Sequence, residues 1–240
     1  MPLFQKILQS KAENKKLFAV LIDPQKCFSE KLIEFVQIIE KAQPDFIFVG
    51  GSQLQNSVKE AISEIKTITK IPVVLFPGNP TQFSENADAV LFLSLISGNN
   101  PAYLIGEHRK CALTIKNSGI EVISTGYILV DGKKISAVEQ VSNTQPLSEV
   151  SEIVSAAVAG ELLGCKIIYL EAGSGAKEPV SEEIIRKVRT NVSVPLIVGG
   201  GLRSKAMLQT ALNAGADIIV VGNYFEKEPE KIFEFCTLFR

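Results

Sequence analysis

Short apolar runs rich in β-branched residues recur along the chain, and eight of them predict β-strands. Nearly every position in these runs is apolar, rather than every second one. We therefore expect strands buried on both faces, as in a parallel sheet covered by helices. The predicted strands are 18–22, 46–49, 73–76, 89–93, 121–125, 167–170, 196–198 and 218–221.

Most of these strands are separated by segments with helical spacing of apolar residues. One apolar stripe runs from Leu32 to Ile39, and Ser29 before it is the expected N-cap. An Ala-rich helix is predicted over 150–163, with Gly164 as its left-handed terminator. Further helices are predicted over 54–68, over 102–116, after Ser181, after Ser204 and over 229–239.

The alternation of strand and helix, repeated to eight strands, predicts an α/β fold of the (β/α)8 TIM-barrel type. We expect a single TIM-barrel domain over residues 1–240, because no linker, low-complexity tract or charge block divides the chain. The third and fourth strands are separated by Pro77-Gly78-Asn79-Pro80 and a few polar residues, too few for a covering helix. The helix after strand three should therefore be reduced or missing, which leaves a thin barrel wall.

Composition narrows the class of protein. Apolar residues make up 46% of the chain and charged residues 21%, which excludes a disordered chain. With 25 basic and 26 acidic residues and no Lys/Arg run, binding to nucleic acid is not expected. No apolar run reaches membrane-span length, and the N-terminus lacks the apolar block of a signal peptide. Four widely spaced cysteines are interpreted as reduced, which favours a cytoplasmic protein.

Glycine-rich segments follow the last three predicted strands, where barrels of this class carry their functional loops. These segments are 173–175, 199–201 and Gly222-Asn223. The second of them leads into a helix that begins at Ser204. Free backbone N–H groups next to a helix N-terminus favour a phosphate site. The alternative is that these glycines only permit tight turns.

Oxygen-bearing side chains also occupy the ends of predicted strands. Asp23 ends the first strand and is either a Mg²⁺ ligand or a turn residue before Pro24. Ser52 is either a second oxygen ligand or a helix N-cap. Glu171 follows strand six, with Tyr169 on the same face of the extended chain. Glu171 could act as a general base for a hydroxyl group, or form a salt bridge at the rim.

Other catalytic schemes find less support. The only histidine, His108, falls within the predicted helix 102–116 and is expected at the surface, which argues against His acid–base catalysis. Lys26 and Lys177 lie on loops, and no predicted strand carries a lysine suited to a Schiff base. Aldolase chemistry is therefore not expected.

Taken together, the loop motifs resemble those of the geranylgeranylglyceryl phosphate synthase family, barrel prenyltransferases that include heptaprenylglyceryl phosphate synthases. The similarity extends from about residue 18 to 225, and its most specific segment is Tyr169–Gly175. The matching motifs are Leu21-Ile22-Asp23-Pro24, Phe48-Val49-Gly50-Gly51-Ser52, Phe76-Pro77-Gly78, Tyr169-Leu170-Glu171-Ala172-Gly173-Ser174-Gly175, Gly199-Gly200-Gly201-Leu202-Arg203 and Val221-Gly222-Asn223.

The resemblance implies transfer of a prenyl group, with geranylgeranyl diphosphate as the expected donor, to the 3-hydroxyl of sn-glycerol 1-phosphate. Mg²⁺ is the implied cofactor, with Asp23 and Ser52 as its ligands. Glu171 matches the residue that accepts the hydroxyl proton, with Tyr169 beside it as a second catalytic candidate. The implied glycerol phosphate site comprises Tyr169, Leu170, Glu171, Ala172, Gly173, Ser174, Gly175, Gly200, Gly201, Gly222 and Asn223.

The resemblance has one departure and further implications. Some members carry Lys two residues before the Asp of the Asp-Pro pair, where this chain has Leu21.

A long prenyl tail needs a groove, for which we favour the thin wall after strand three. Self-association into a homo-oligomer and peripheral contact with a membrane are also expected. Candidate linings of the groove, each of which could equally be ordinary core, are Phe76, Phe83, Leu93, Leu95, Ile96, Tyr103 and Tyr127.

Two other functions remain open on the sequence alone. A phosphate-sugar isomerase or epimerase would share the phosphate loops, but it would usually need a second acid–base residue facing Glu171. A barrel that binds prenyl or glycerol phosphates without turning them over would not need the set of Asp23, Ser52 and Glu171.

Overall fold

Eight parallel strands form a closed barrel in the computed structural model, which describes residues 1–51 and 58–240. Each strand pairs with the next along the chain, and the last pairs with the first, as the sequence predicted. The strands are β1 Leu17–Ile22, β2 Phe46–Val49, β3 Val73–Leu75, β4 Ala89–Leu95, β5 Glu121–Leu129, β6 Ile167–Glu171, β7 Leu196–Gly199 and β8 Ile218–Val221.

Helices cover the outside of the barrel. The hydroxyls of Ser181 and Ser204 accept N–H groups of the first helical turns, as expected for N-caps. Ser29 makes no such bond, so its predicted capping role is wrong. The helices are α1 Leu3–Ala12, α2 Glu30–Ala42, α3 Val58–Ile68, α4 Glu107–Ser118, α5 Ala137–Ser142, α6 Val150–Leu162, α7 Glu182–Asn191, α8 Lys205–Ala214 and α9 Lys231–Cys236. In the described ranges, none is both long and apolar enough to cross a bilayer.

The wall between β3 and β4 is thin, as predicted. The connection holds only a single 3₁₀ turn, Pro80–Gln82, instead of a covering helix. The strands themselves pair only Val74 with Ala89 and Leu75 with Val90. Beyond these pairs β4 continues to Leu95 without β3 beside it, so this edge of β4 is not paired with β3.

Helix α1 lies across the N-terminal end of the barrel, a feature that the apolar pattern did not reveal. The N–H groups of Leu3 and Phe4 donate to the Glu121 carboxylate at the start of β5, at 2.5 and 2.9 Å. Ile7 packs into the same interior cluster as Phe46 of β2. Access to the interior therefore comes from the opposite end, where the strands finish.

His108 is buried, contrary to the expectation that it lies at the surface. Only 8% of the residue is exposed, and its ring meets that of Phe92 edge-on at 4.4 Å. A π-helical segment, Ala102–Gly106, precedes α4 and changes which positions of the following helix face the barrel. Burial lowers the pKa of His108, so the side chain is neutral at physiological pH.

Candidate active site

The predicted site residues converge at the C-terminal mouth of the barrel. Asp23 follows β1 and lies close to Gly51, which follows β2. A Cβ atom added to Gly51 would be 3.1 Å from Asp23 Oδ1. Asn223 follows β8, the neighbour of β1, and donates from Nδ2 to the Ser174 hydroxyl after β6, at 2.5 Å. Ser52, the second predicted metal ligand, lies outside the described residues.

Glu171 is the acid at the centre of this mouth, and it is 7% exposed as the last residue of β6. Its Oε1 accepts the N–H of Gly173 at 2.8 Å. Burial raises the pKa of Glu171 to about 7, although the Gly173 N–H and the Tyr169 hydroxyl act in the opposite direction. A carboxylate with this pKa can accept a proton near neutral pH.

Tyr169 supplies a neutral hydroxyl beside that carboxylate. Its ring is fully buried against Tyr127 and Phe76, with centroid distances of 5.3 and 5.5 Å. Burial, with the nearby Glu171 charge, holds the pKa of Tyr169 well above its usual value, so the hydroxyl keeps its proton. Within the described residues this buried hydroxyl meets the geometric criterion for no hydrogen bond, and the polar group that acts on it is the Glu171 carboxylate.

The glycines after β7 are required by the close packing around Glu171. A Cβ on Gly200 would lie 2.4 Å from Glu171 Oε1 and 2.7 Å from the Gly173 nitrogen. Gly200 also has a φ of +84°, in the left-handed region that favours glycine. The predicted phosphate loop therefore also holds the acid in place.

Unused backbone donors surround the glycine loops. Across the described ranges, no hydrogen bond uses the N–H groups of Ser174, Gly175, Gly200, Gly201 or Asn223. Helix α8 begins directly after the glycines, with the positive end of its dipole at Ser204. Such clustered donors at a helix N-terminus suit a phosphate group. Leu170 and Ala172 flank Glu171, and Gly222 precedes Asn223, so the structure brings the predicted phosphate and acid residues together.

Asp23 fits a Mg²⁺ ion that takes most of its ligands from substrate and water. The described residues contain no group of three or more His, Cys, Asp or Glu side chains able to hold a metal. Mg²⁺ is commonly bound by one or two carboxylates together with substrate phosphates. The Asp23 carboxylate after β1 matches that donor set.

Lys26, which the sequence suggested only as a poor Schiff-base candidate, is a residue of this site. Its Nζ lies 3.4 Å from Asp23 Oδ2 and 3.6 Å from Glu226 Oε1, and it donates to Asn223 Oδ1 at 3.2 Å. This ammonium group provides positive charge beside Asp23 that Leu21 cannot provide. Its place in the loop after the first strand was the available indication.

An apolar cavity opens from the same mouth along the thin wall. Its empty volume is about 910 Å³, including space open to solvent. Six of the seven candidate linings border it, and Ile96 does not, because its Cδ1 packs close to Gly126 and Gly160. The cavity is lined by Gly51, Phe76, Pro77, Gly78, Asn79, Pro80, Phe83, Val90, Leu91, Phe92, Leu93, Leu95, Tyr103, Glu107, His108, Cys111, Ile115, Tyr127, Val138 and Val141.

Comparison with known proteins finds relatives that are similar over most of this chain. A geranylgeranylglyceryl phosphate synthase from Chitinophaga pinensis is 46% identical over 98% of this chain and 94% of its own length. One from Pyrococcus horikoshii is 39% identical over 93% of this chain and 89% of its own length.

A solved structure is also closely similar. It is the crystal structure of (S)-3-O-geranylgeranylglyceryl phosphate synthase from Thermoplasma acidophilum in complex with sn-glycerol 1-phosphate. It superposes with a TM-score of 0.92 and 32% identity, covering 98% of this chain and 96% of that one. Residues 9–237 match the PcrB family. These matches extend over nearly the whole chain, which therefore belongs to the PcrB family, the family of the geranylgeranylglyceryl phosphate synthases.

Proposed function

We propose that this protein joins a prenyl group from a prenyl diphosphate to the 3-hydroxyl of sn-glycerol 1-phosphate, with release of diphosphate. Geranylgeranyl diphosphate is the proposed donor. One observation carries the proposal: a buried carboxyl with a pKa of about 7 adjoins the glycine loops with their unused N–H groups, and an apolar cavity reaches Tyr127, whose ring packs against Tyr169 beside that carboxyl. The Thermoplasma acidophilum relative was crystallised with the same acceptor.

The acceptor is held by its phosphate and activated at its hydroxyl. The glycine loops after β6, β7 and β8 bind the phosphate through their free N–H groups. The Tyr169 hydroxyl donates to a glycerol oxygen, and Glu171 removes the proton as the new ether bond forms. Because the acceptor is fixed at the other end, positioning supplies part of the rate.

The donor lies on the β1 and β4 side of the mouth. Asp23 would hold Mg²⁺, which offsets the charge that gathers on the departing diphosphate. The tail occupies the cavity between β4, α4 and the 3₁₀ turn. At ~0.8 kcal/mol for each buried CH₂, twenty carbons contribute at most about 16 kcal/mol before ordering costs.

The rival functions fit the site less well. Burial, the Gly173 N–H and the Tyr169 hydroxyl act on the pKa of Glu171, and no second carboxylate or histidine of the described residues does. This favours prenyl transfer over an isomerase or epimerase, which would usually need a second acid–base residue facing Glu171. A purely binding barrel would gain nothing from a buried carboxyl, because desolvating it costs stability.

The test is incubation with sn-glycerol 1-phosphate and prenyl diphosphates of several lengths, with and without Mg²⁺. We expect an ether product that depends on Mg²⁺ and forms in the highest yield with the C20 donor. Much less product should form with sn-glycerol 3-phosphate. Glu171→Gln should lower kcat by about 10²–10⁴-fold with little change in acceptor KM. Absence of product with every donor would refute the proposal, and an effect on KM alone would refute the base role.

We also propose a cytoplasmic location, which the four free cysteines support. Self-association and peripheral contact with a membrane remain predictions. Light scattering and sedimentation with lipid vesicles would check them.

A further inference from the structure

The loop after β5 is fixed against the glycine loop after β6. The carbonyl oxygen of Gly132 accepts the N–H groups of Lys177 and Glu178, at 2.9 and 3.2 Å. A Cβ on Gly173 would lie 2.8 Å from the Cβ of Ser136. Backbone bonds and close packing therefore set the position of the intervening residues, whatever their side chains do.

Two neighbouring lysines in this loop have different surroundings. Lys133 Nζ lies 2.7 Å from the Asp131 carboxylate, which also accepts the Lys133 backbone N–H at 2.8 Å. Lys134 makes no ion pair or hydrogen bond within the described residues. If Gly175 carried a Cβ atom, that atom would lie 3.1 Å from Lys134 Nζ and 3.8 Å from Asn223 Nδ2. An uncompensated cation therefore faces the glycine loop.

The surroundings of Lys134 identify the kind of group that would pair with it. Ser174, Gly175 and Asn223 all have unused backbone N–H groups, so every donor near the ammonium group favours an anion. Lys26, another cation at the mouth, is already engaged by Asp23 and Glu226. An anion with several acceptor oxygens, such as a phosphate monoester, could bind the Lys134 ammonium and the N–H groups together.

We infer that Lys134 is a binding residue for the phosphate of the acceptor and favours a charged phosphomonoester over uncharged glycerol. The inference rests on the proposed function and adds a residue that the family motifs do not contain. Lys134 acts on binding and not on the reacting hydroxyl, because the catalytic carboxyl Glu171 lies at the buried end of β6.

The experiment compares Lys134→Ala with Lys133→Ala, a matched control in the same loop. Calorimetric titration with sn-glycerol 1-phosphate, without donor, should show about tenfold weaker binding for Lys134→Ala, as for loss of one charge-assisted hydrogen bond. Lys133→Ala should change the Kd less than about twofold. Lys134→Arg, which keeps the charge, should recover most of the affinity.

Steady-state kinetics separate binding from catalysis. Lys134→Ala should raise the KM for glycerol 1-phosphate while kcat and the KM for prenyl diphosphate stay near those of the unaltered protein. Equal effects of the two alanine variants, unchanged binding by Lys134→Ala, or a rise in donor KM instead would each overturn the inference. In those cases product formation by the unaltered protein would leave the proposed function standing. If the unaltered protein neither bound glycerol 1-phosphate nor formed product, both would fall.

Discussion

Replacing Glu171 with glutamine should make the protein more stable at neutral and alkaline pH while removing its base. The pKa of Glu171 is about 7 in the folded protein because of burial, against 4.5 for the ordinary side chain. The folded state therefore holds this proton more tightly than the unfolded state. The stabilisation that the protonated Glu171 contributes is fully present below pH 4.5 and is lost as the pH rises through about 7. Glutamine is neutral throughout and escapes this loss.

The size of the effect follows from the two pKa values. At 1.36 kcal/mol for each pKa unit, the full penalty for ionising Glu171 is roughly 3 kcal/mol. The free energy of unfolding of the variant should exceed that of the unaltered protein by about 1 kcal/mol at pH 5 and by about 3 kcal/mol at pH 8. The amide oxygen of glutamine can still accept the Gly173 N–H, so that hydrogen bond is kept.

Urea denaturation of both proteins at pH 5, 6, 7 and 8 measures this difference. Glu34→Gln, on the exposed surface of α2, is the control and should show no comparable trend. Any constant offset from the new amide cancels, because the prediction concerns growth of the difference with pH. If the difference in the free energy of unfolding stays constant, or shrinks toward pH 8, ionisation of Glu171 does not destabilise the folded protein and the reasoning is refuted.

Three other changes test other parts of the site. Asp23→Ala should abolish Mg²⁺-dependent turnover with the circular dichroism spectrum unchanged, and retained activity would remove the metal assignment. Cys111→Phe should shift the donor preference to shorter tails by filling the cavity, whereas Ala112→Phe on the exposed side of α4 should not. Gly200→Ala should lower the denaturation midpoint and reduce kcat, because its Cβ would displace the Glu171 carboxylate; a stable, fully active variant would contradict that packing.

The barrel was predictable because its strands are buried on both faces and so form unbroken apolar runs. The prediction failed where the run was interrupted. Strand β5 was expected to stop at Thr125, but it continues through Gly126 to Leu129 and brings Tyr127 into the interior. Thr125 is tolerated there because its hydroxyl bonds to the Ile123 carbonyl. Such local compensation is invisible in hydropathy.

The site was predictable to the extent that its chemistry needs particular residue types. Gly200 and Gly201 have positive φ angles, which favour glycine, and Glu171 is an acid at a strand end. For these three residues the residue type itself indicates the role. For the lysines it does not. Whether Lys26 or Lys134 points into the mouth depends on how separate loops pack, which no spacing along the chain encodes. His108 was misplaced for the same reason.

The position of Lys26 makes the two halves of the mouth electrically dependent on each other. One ammonium group pairs with the Asp23 carboxylate after β1 and also donates to Oδ1 of Asn223 after the neighbouring strand β8. A substrate anion that drew this ammonium group toward itself would change the electrostatic potential that the second substrate meets. Thermodynamic reciprocity requires each substrate to change the other's affinity by the same factor. Coupled affinities for the two substrates would then follow from one shared side chain, without movement of the barrel.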